Sequence, residues 1–171
     1  GTISTVHDMG GRAIIPGFVD AHTHLLWDGD RSNEIRMRQQ GMSYSEIAAA
    51  GGGIRHTVSQ TRASQNLHGI GHERRELSMA NGTTALEVKS GYGLDTETEL
   101  RLLQIYDDMQ SERTYPRLYP TWMGAHDIPH GIKRESYVEQ ILSEQLPAIL
   151  EQGIATSADV FCEPGWFTIE D

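Results

Sequence analysis

Short runs of apolar and β-branched residues alternate along this chain with longer stretches in which apolar residues recur at helical spacing. The side-chain period is 2 in a strand and 3.6 in a helix, so the short runs predict strands and the longer stretches helices. The predicted strands cover residues 14–21, 83–88, 118–123 and 158–162. The predicted helical regions cover residues 34–50, 54–80, 96–112 and 134–152. This alternation predicts an α/β fold in which parallel strands are joined by right-handed crossovers.

Two helix starts are indicated by capping boxes, in which a Ser or Thr is followed three residues later by Glu. Ser43 and Glu46 have this spacing, and so do Thr96 and Glu99. The second helix carries apolar residues at helical spacing that we expect to pack in the core. They are Leu102, Leu103, Tyr106 and Met109.

Glycine and proline indicate where the helical regions end. The glycines at 51–53 are expected to end the first region. The second should be interrupted near Gly69 and Gly71 and should stop at Gly82. Pro147 lies inside the last region, where it should kink the helix or end its first half.

Composition narrows the function classes. Of the 171 residues, 37% are apolar, and mean hydropathy is −0.46, without an apolar run long enough to span a membrane. The formal net charge of −10 argues against nucleic acid as a partner. Cys162 is the single cysteine, which excludes an internal disulfide and is typical of a reducing cytoplasm. We interpret it as a small buried apolar residue rather than a nucleophile.

Candidate chemistry appears where the first predicted strand ends, at His22-Thr23-His24. Residues i and i+2 of a strand point to the same side, so both imidazoles should leave the strand together. Two neutral imidazoles suit zinc, iron, nickel or copper. The pair therefore predicts a metal site in which His22 and His24 are ligands.

Six segments resemble, in order, those of the imidazolonepropionase family of the amidohydrolase superfamily. The resemblance extends over nearly the whole chain, and EVKSGYGL is its most specific part. The segments are PGFVDAHTH at 16–24, GDR at 29–31, EIAAAGGGI at 46–54, EVKSGYGL at 87–94, GAH at 124–126 and VFCE at 160–163.

The resemblance implies a TIM-like (β/α)8 barrel of the metal-dependent hydrolase type. Residues 14–171 would form the first half of the barrel, and residues 1–13 would end the N-terminal part of a composite β-sandwich domain. A complete barrel needs about 250 residues, so we expect this chain to be part of a longer polypeptide.

The family also implies roles for residues in the loops after the strands, where barrel active sites lie. His22 and His24 would bind the metal, and Arg31 would hold the propionate of the substrate. Tyr92 would donate its hydroxyl to the substrate. His126 would contact the substrate beside the metal and act as a catalytic residue, although from the residues alone it is equally a third ligand or a loop histidine. The remaining His and Asp ligands and the acid–base group would follow Asp171.

The implied reaction is hydrolysis of the cyclic C–N bond of 4-imidazolone-5-propanoate to N-formimidoyl-L-glutamate, in histidine degradation. The cofactor would be one transition metal per subunit, zinc or iron, in a cytoplasmic homodimer that binds a small molecule and neither nucleic acid nor membrane. One alternative is another amidohydrolase, such as a deaminase or a dihydroorotase-like enzyme. The other is a non-catalytic metal-binding scaffold.

Lys89 and the pair of His68 and His72 could bind metal, but each has a simpler interpretation. Some amidohydrolases carbamylate a strand lysine to bridge two metals, but the resembled family is mononuclear, so we interpret Lys89 as structural. His68 and His72 have i,i+4 spacing on a predicted helix. We interpret them as surface residues rather than a metal-binding pair.

Overall fold

A parallel, curled sheet forms the centre of the fold in the computed structural model, which describes residues 5–112 and 116–171. Within these residues the sheet has four strands in the order β1-β2-β3-β4, with every neighbouring pair parallel. The strands are β1 Phe18–Thr23, β2 Thr83–Lys89, β3 Arg117–Ala125 and β4 Ser157–Val160. Strands that follow one another in sequence and in space confirm the predicted α/β class. The arrangement is consistent with part of a TIM-like barrel.

Helices connect the strands, as the alternating pattern predicted. Three short helices and one longer one lie between β1 and β2, one long helix lies between β2 and β3, and a broken helix lies between β3 and β4. They are α1 Asn33–Gln39, α2 Tyr44–Ala49, α3 Ile54–Ala63, α4 Leu67–Ala80, α5 Thr96–Ser111, α6 Arg134–Gln140 and α7 Leu146–Gln152.

The core lies between the central strands and α5. The four residues of α5 expected in the core are completely buried, as are Val88 of β2 and Leu26 after β1. Tyr106 is buried together with its hydroxyl, which donates to the carbonyl of Lys89 at 3.0 Å and accepts the N–H of Leu26 at 3.1 Å. A buried hydroxyl with both partners satisfied ties α5 to β2 and to the β1 exit.

The first strand is shorter and more exposed than predicted. It begins at Phe18 rather than residue 14, and its residues are exposed except for Thr23. Phe18 is 58% exposed and Val19 is 71% exposed. The expectation of a buried strand was therefore wrong for this chain, because β1 is an edge strand that pairs only with β2 among the described strands.

The helix boundaries partly follow the predictions. The capping box of Ser43 and Glu46 is confirmed at the start of α2, and the first helical region breaks just before it, between α1 and α2. The second region is interrupted at residues 64–66 instead of at Gly69 and Gly71, which lie inside α4. A Cβ on Gly71 would lie 2.7 Å from Leu26 and 2.9 Å from Met109, so this glycine permits close packing of the helix rather than breaking it.

The connection from β3 to β4 shows the expected proline effect. A π-helical turn at Ile141–Gln145 separates α6 from α7, and Pro147 lies in the first turn of α7. The backbone stays helical through the π-turn, where the N–H of Leu146 donates to the carbonyl oxygen of Ile141. Such a bulge shifts the hydrogen-bond ladder and accommodates proline, which has no N–H to donate. Cys162, expected to be buried, is instead exposed, since it lies just beyond the other edge strand, β4.

The N-terminal segment has no strand between residues 5 and 13, and a turn lies at residues 10 and 11. Residues 1–4 lie outside the described residues. The assignment of 1–13 to a β-sandwich domain stays a prediction, because a strand there would need a pairing partner from another segment. None of the helices described within 5–112 and 116–171 combines the length and apolar character needed to cross a bilayer.

Candidate active site

Three aromatic side chains from three different loops meet at the carboxyl ends of β1, β2 and β3. The rings of His24 and His126 are stacked, with centroids 4.5 Å apart and planes at 11°. Tyr92 meets both rings edge-on, at centroid distances of 5.1 Å and 5.3 Å. His22 stands beside this group, 6.0 Å from His24 between ring centroids. The structure thus brings together four of the five predicted site residues.

The loop after β2 orients both stacked imidazoles through its backbone. Nδ1 of His24 lies 2.8 Å from the carbonyl oxygen of Ser90, and Nδ1 of His126 lies 2.8 Å from that of Gly91. Because a carbonyl can only accept, each Nδ1 donates, and Nε2 is the lone-pair nitrogen of the neutral ring. A hydrogen bond that sets the tautomer in this way is typical of metal-binding and proton-transferring histidines.

Burial keeps both rings neutral. Desolvation, followed by the proximity of His126, lowers the pKa of His24 to about 3. Desolvation also lowers the pKa of His126. Metals bind the neutral imidazole, so the environment favours the form that a ligand needs.

A buried carboxylate holds the loop that carries Tyr92. Glu99 is completely buried, and its oxygens accept the N–H groups of Gly91 at 3.0 Å, Gly93 at 2.8 Å and Leu94 at 3.0 Å. Burial raises the pKa of Glu99, while these donors act in the opposite direction. The expected capping box is therefore wrong: Asp95 caps α5 by accepting the N–H of Thr98 at 2.7 Å.

Gly91 shows why this loop needs glycine. Its φ of +98° lies in the left-handed region, and a Cβ there would lie 2.8 Å from the carbonyl oxygen of Met123 and 3.0 Å from His126. The tight loop expected from the sequence is confirmed. Its tightness allows the backbone to approach His126 closely enough to hydrogen-bond the ring.

Arg31 is paired with an acidic neighbour that the sequence reasoning missed. Its Nε and Nη2 donate to the two carboxylate oxygens of Glu34 at 2.7 Å and 2.9 Å. Glu34 is buried and also accepts the N–H of Gly53 at 2.7 Å. The hydrogen bond to Arg31 lowers the pKa of Glu34. The carboxylate uses two of the five guanidinium N–H donors, so Arg31 is oriented with donor capacity remaining.

A cavity of about 340 Å³ lies between Arg31 and Tyr92. Trp27, Glu34 and Thr57 also line it. A larger cavity, of about 520 Å³, lies between α3 and the loop at residues 127–132 and includes none of the predicted site residues. Arginine, tyrosine and tryptophan around a small cavity suit an anionic, ring-containing ligand.

Lys89 is fully engaged in ion pairs. Its Nζ lies 2.9 Å from a carboxylate oxygen of Glu87 and 2.8 Å from one of Asp159 on β4. Burial acts to lower the pKa of Lys89, but the hydrogen bonds to Asp159 and Glu87 outweigh it and raise the pKa. A charged, doubly paired ammonium supports the structural interpretation of this lysine.

The donor set at the β1 exit fits a metal ion in part. His22 and His24 offer two imidazoles, and the fixed Nδ1 of His24 leaves Nε2 for coordination. Within the described part of the chain, one group of three His, Cys, Asp or Glu side chains has its ligand atoms within 4.8 Å of one another. That group is His68, His72 and Glu112, on α4 and at the end of α5. It could hold a metal, and it does not include His22 or His24.

Three residues near the site were not predicted, and one of them had a signal in the sequence. Glu34 follows Arg31 by three residues, the spacing at which helical side chains meet. Glu99 lies six residues beyond Gly93, but nothing in its spacing distinguishes a loop anchor from a cap. Asp159 can be recognised as a partner of Lys89 only in the structure, where β4 lies beside β3.

The chain has relatives of known name. No family model matches it. Over almost its whole length, the chain is similar to imidazolonepropionase. The enzyme of Haloarcula marismortui is 46% identical over 95% of this chain, and that of Solibacter usitatus is 44% identical over 96%. The enzyme of Symbiobacterium thermophilum is 46% identical over 100% of it.

The resemblance to imidazolonepropionase that the motifs indicated is thereby confirmed. The chain spans about two fifths of the length of these relatives: 39%, 40% and 41% respectively. The individual roles of His22, His24, Arg31, Tyr92 and His126 stay predictions.

Proposed function

We propose that this chain contributes the first half of an imidazolonepropionase barrel. The reaction adds water across the cyclic C–N bond of 4-imidazolone-5-propanoate. The water oxygen bonds to the ring carbonyl carbon, the C–N bond breaks, and the leaving nitrogen takes a proton, giving N-formimidoyl-L-glutamate. The observation that carries the proposal is the meeting of His24, Tyr92 and His126 beside the cavity that Arg31 lines.

His22 and His24 would hold one zinc or iron ion together with a His and an Asp from outside these residues. When bound, the metal would supply Lewis-acid activation of the ring carbonyl and of water. The contribution of this chain would be to present the imidazole of His24 unprotonated, through its burial and its hydrogen bond to Ser90.

Arg31 would bind the propionate of the substrate. A guanidinium binds a carboxylate through parallel N–H donors, and Glu34 already holds this one in place. In this role Glu34 is a positioning residue, since it acts on the substrate only through Arg31.

Tyr92 and His126 would act on the ring of the substrate. Burial raises the pKa of Tyr92, so its hydroxyl stays protonated and can donate a hydrogen bond. The neutral His126 presents a lone pair at Nε2 and can accept or pass a proton there.

The remaining proposals concern the assembly. Residues 14–171 would form half of the barrel and residues 1–13 the end of part of a β-sandwich domain. We propose a cytoplasmic homodimer that binds neither nucleic acid nor membrane.

Arg31→Ala in the intact polypeptide tests this function. Losing the partner of the propionate should cost roughly 2–5 kcal/mol in kcat/KM, mainly through a higher KM. Arg31→Lys should not restore the loss, because an ammonium lacks the planar fork. Steady-state kinetics with 4-imidazolone-5-propanoate measure both effects.

Arg36→Ala is the matched control, since Arg36 is an exposed arginine on the same helix as Glu34. It should leave kcat and KM unchanged. Wild-type kinetics in Arg31→Ala would remove Arg31 from the site. Turnover of a dihydroorotate or aminated-ring substrate in place of the imidazolone would replace the proposed substrate with that of another amidohydrolase.

A further inference from the structure

Two histidines and a glutamate form a cluster on the helices outside the sheet. His68 and His72 lie on α4, and Glu112 is the residue that caps the C-terminal end of α5. Their candidate ligand atoms all lie within 4.8 Å of one another. The cluster shares no member with the histidines at the β1 exit.

The helix places the two imidazoles side by side. Residues four apart in a helix are neighbours on one face, and the ring centroids of His68 and His72 are 4.6 Å apart. Nitrogen ligands about 2.0–2.1 Å from one zinc ion are at most about 4.2 Å apart. The candidate ligand atoms lie within 4.8 Å of one another, so a small rotation of the exposed His68 side chain would bring them within this limit.

The carboxylate of Glu112 already contacts one of the two histidines, His72. One of its oxygens, Oε1, lies 3.0 Å from Nε2 of His72, and Oε2 lies 3.9 Å from Nη1 of Arg75. Arg75 is buried, and it is held by donating to the carbonyl oxygens of Met109 at 2.6 Å and Pro116 at 3.1 Å. A fixed guanidinium behind a carboxylate orients it in the way that outer partners orient metal ligands.

We propose that His68, His72 and Glu112 bind one zinc ion, with water completing the coordination. Two imidazoles and one carboxylate form a donor set that zinc takes in proteins. Hard cations such as magnesium prefer sites built from oxygen alone. The ion would join α4 to the end of α5 and stabilise the outer helices. This inference does not depend on the proposed function.

The experiment isolates this site by using the intact polypeptide carrying His22→Ala and His24→Ala. After treatment with a chelator, the protein is dialysed against zinc and the bound metal is measured by elemental analysis. We expect one zinc per chain and a higher Tm in zinc, because a ligand that binds the folded state stabilises it. Magnesium at the same concentration should produce neither effect.

His68→Ala is the decisive variant. The contact between His72 and Glu112 does not need His68, whereas a three-ligand metal site does. His68→Ala should lose both the bound zinc and the increase in Tm, and His7→Ala, which removes an exposed histidine elsewhere, should retain both.

Full zinc binding by His68→Ala would overturn the proposal and leave a simple hydrogen bond between His72 and Glu112. Absence of zinc from the parent protein would overturn it as well. Should the background with both alanines fail to fold, the same count is made with His22 and His24 intact. There, His68→Ala should contain one zinc fewer than its parent, and an equal count would refute the site.

Discussion

The two central strands and the two edge strands of the sheet differ sharply in what this chain provides for them. Val88 of β2 is completely buried, and every residue of β3 from Pro120 onward is buried. Val19 of β1 is 71% exposed and Val160 of β4 is 51% exposed. The helices of this chain cover the central strands, whereas β1 and β4 stay largely exposed at the two edges of the described sheet.

The residues of the candidate site also differ in how well they are packed. Tyr92 and His126 lie on loops anchored by Glu99 and by backbone carbonyls within the well-packed half. His22 lies on the exposed edge strand and is itself exposed. The loops that carry Tyr92 and His126 are therefore preorganised by contacts within this chain, whereas the strand that carries His22 is exposed.

The largest effect on stability is expected from Glu99→Gln. The amide oxygen can still accept the N–H groups of Gly93 and Leu94, but the NH2 group that replaces Oε2 cannot accept the N–H of Gly91. Bonds to a charged acceptor contribute about 1.5–3 kcal/mol each, so the lost bond and the weaker bonds to an uncharged oxygen together should lower the free energy of unfolding by about 3 kcal/mol. Denaturant titration measures this loss.

Glu97→Gln provides the control on the same helix, since Glu97 is exposed in the first turn of α5. Its effect should stay within about 0.5 kcal/mol. Equal stability of the two variants would show that the loop does not depend on the carboxylate of Glu99. The difference in packing between the central strands with their loops and the edge strands would then lose its main support.

Two valines on neighbouring strands allow the difference in burial between β2 and β1 to be measured directly. Val88→Ala removes buried methyl groups from β2 and should destabilise the fold by about 1.5–3 kcal/mol. Val19→Ala on the neighbouring strand should change the stability of the 171-residue chain by less than about 0.5 kcal/mol, because Val19 is exposed there. Chemical unfolding of the two variants of this chain gives the comparison. A similar loss in both would mean that β1 is covered in solution.

The smallest effect on stability is expected from acidification, which should weaken the ion pair between Arg31 and Glu34. The folded-state pKa of Glu34 is lowered, so its contribution is present above its unfolded pKa and is lost as pH falls through the folded pKa. Partly exposed pairs contribute up to about 1 kcal/mol. Unfolding between neutral and acid pH should therefore show a weaker pH dependence in Glu34→Gln than in the wild type. An unchanged slope would mean that the pair does not stabilise the fold.

Local patterns in the sequence were enough for much of the fold. The strand at 83–88, the buried face of α5 and the capping box at Ser43 each depend on neighbours within a few residues, and all three are confirmed. The histidine pair and the glycine loop that carries Tyr92 were visible for the same reason. Their chemistry follows from residue type and from position at the end of a strand.

Other features required the tertiary structure, because they depend on contacts between residues distant in sequence. Stacking of His24 on His126 joins residues a hundred positions apart, and the pairing of Lys89 with Asp159 needs β4 in place. The sequence could not show that Gly71 serves packing rather than a break, since its neighbours Leu26 and Met109 come from other segments. The apolar pattern of β1 was readable, but whether that strand is buried depends on the layers around it, and a pattern of side chains does not contain that information.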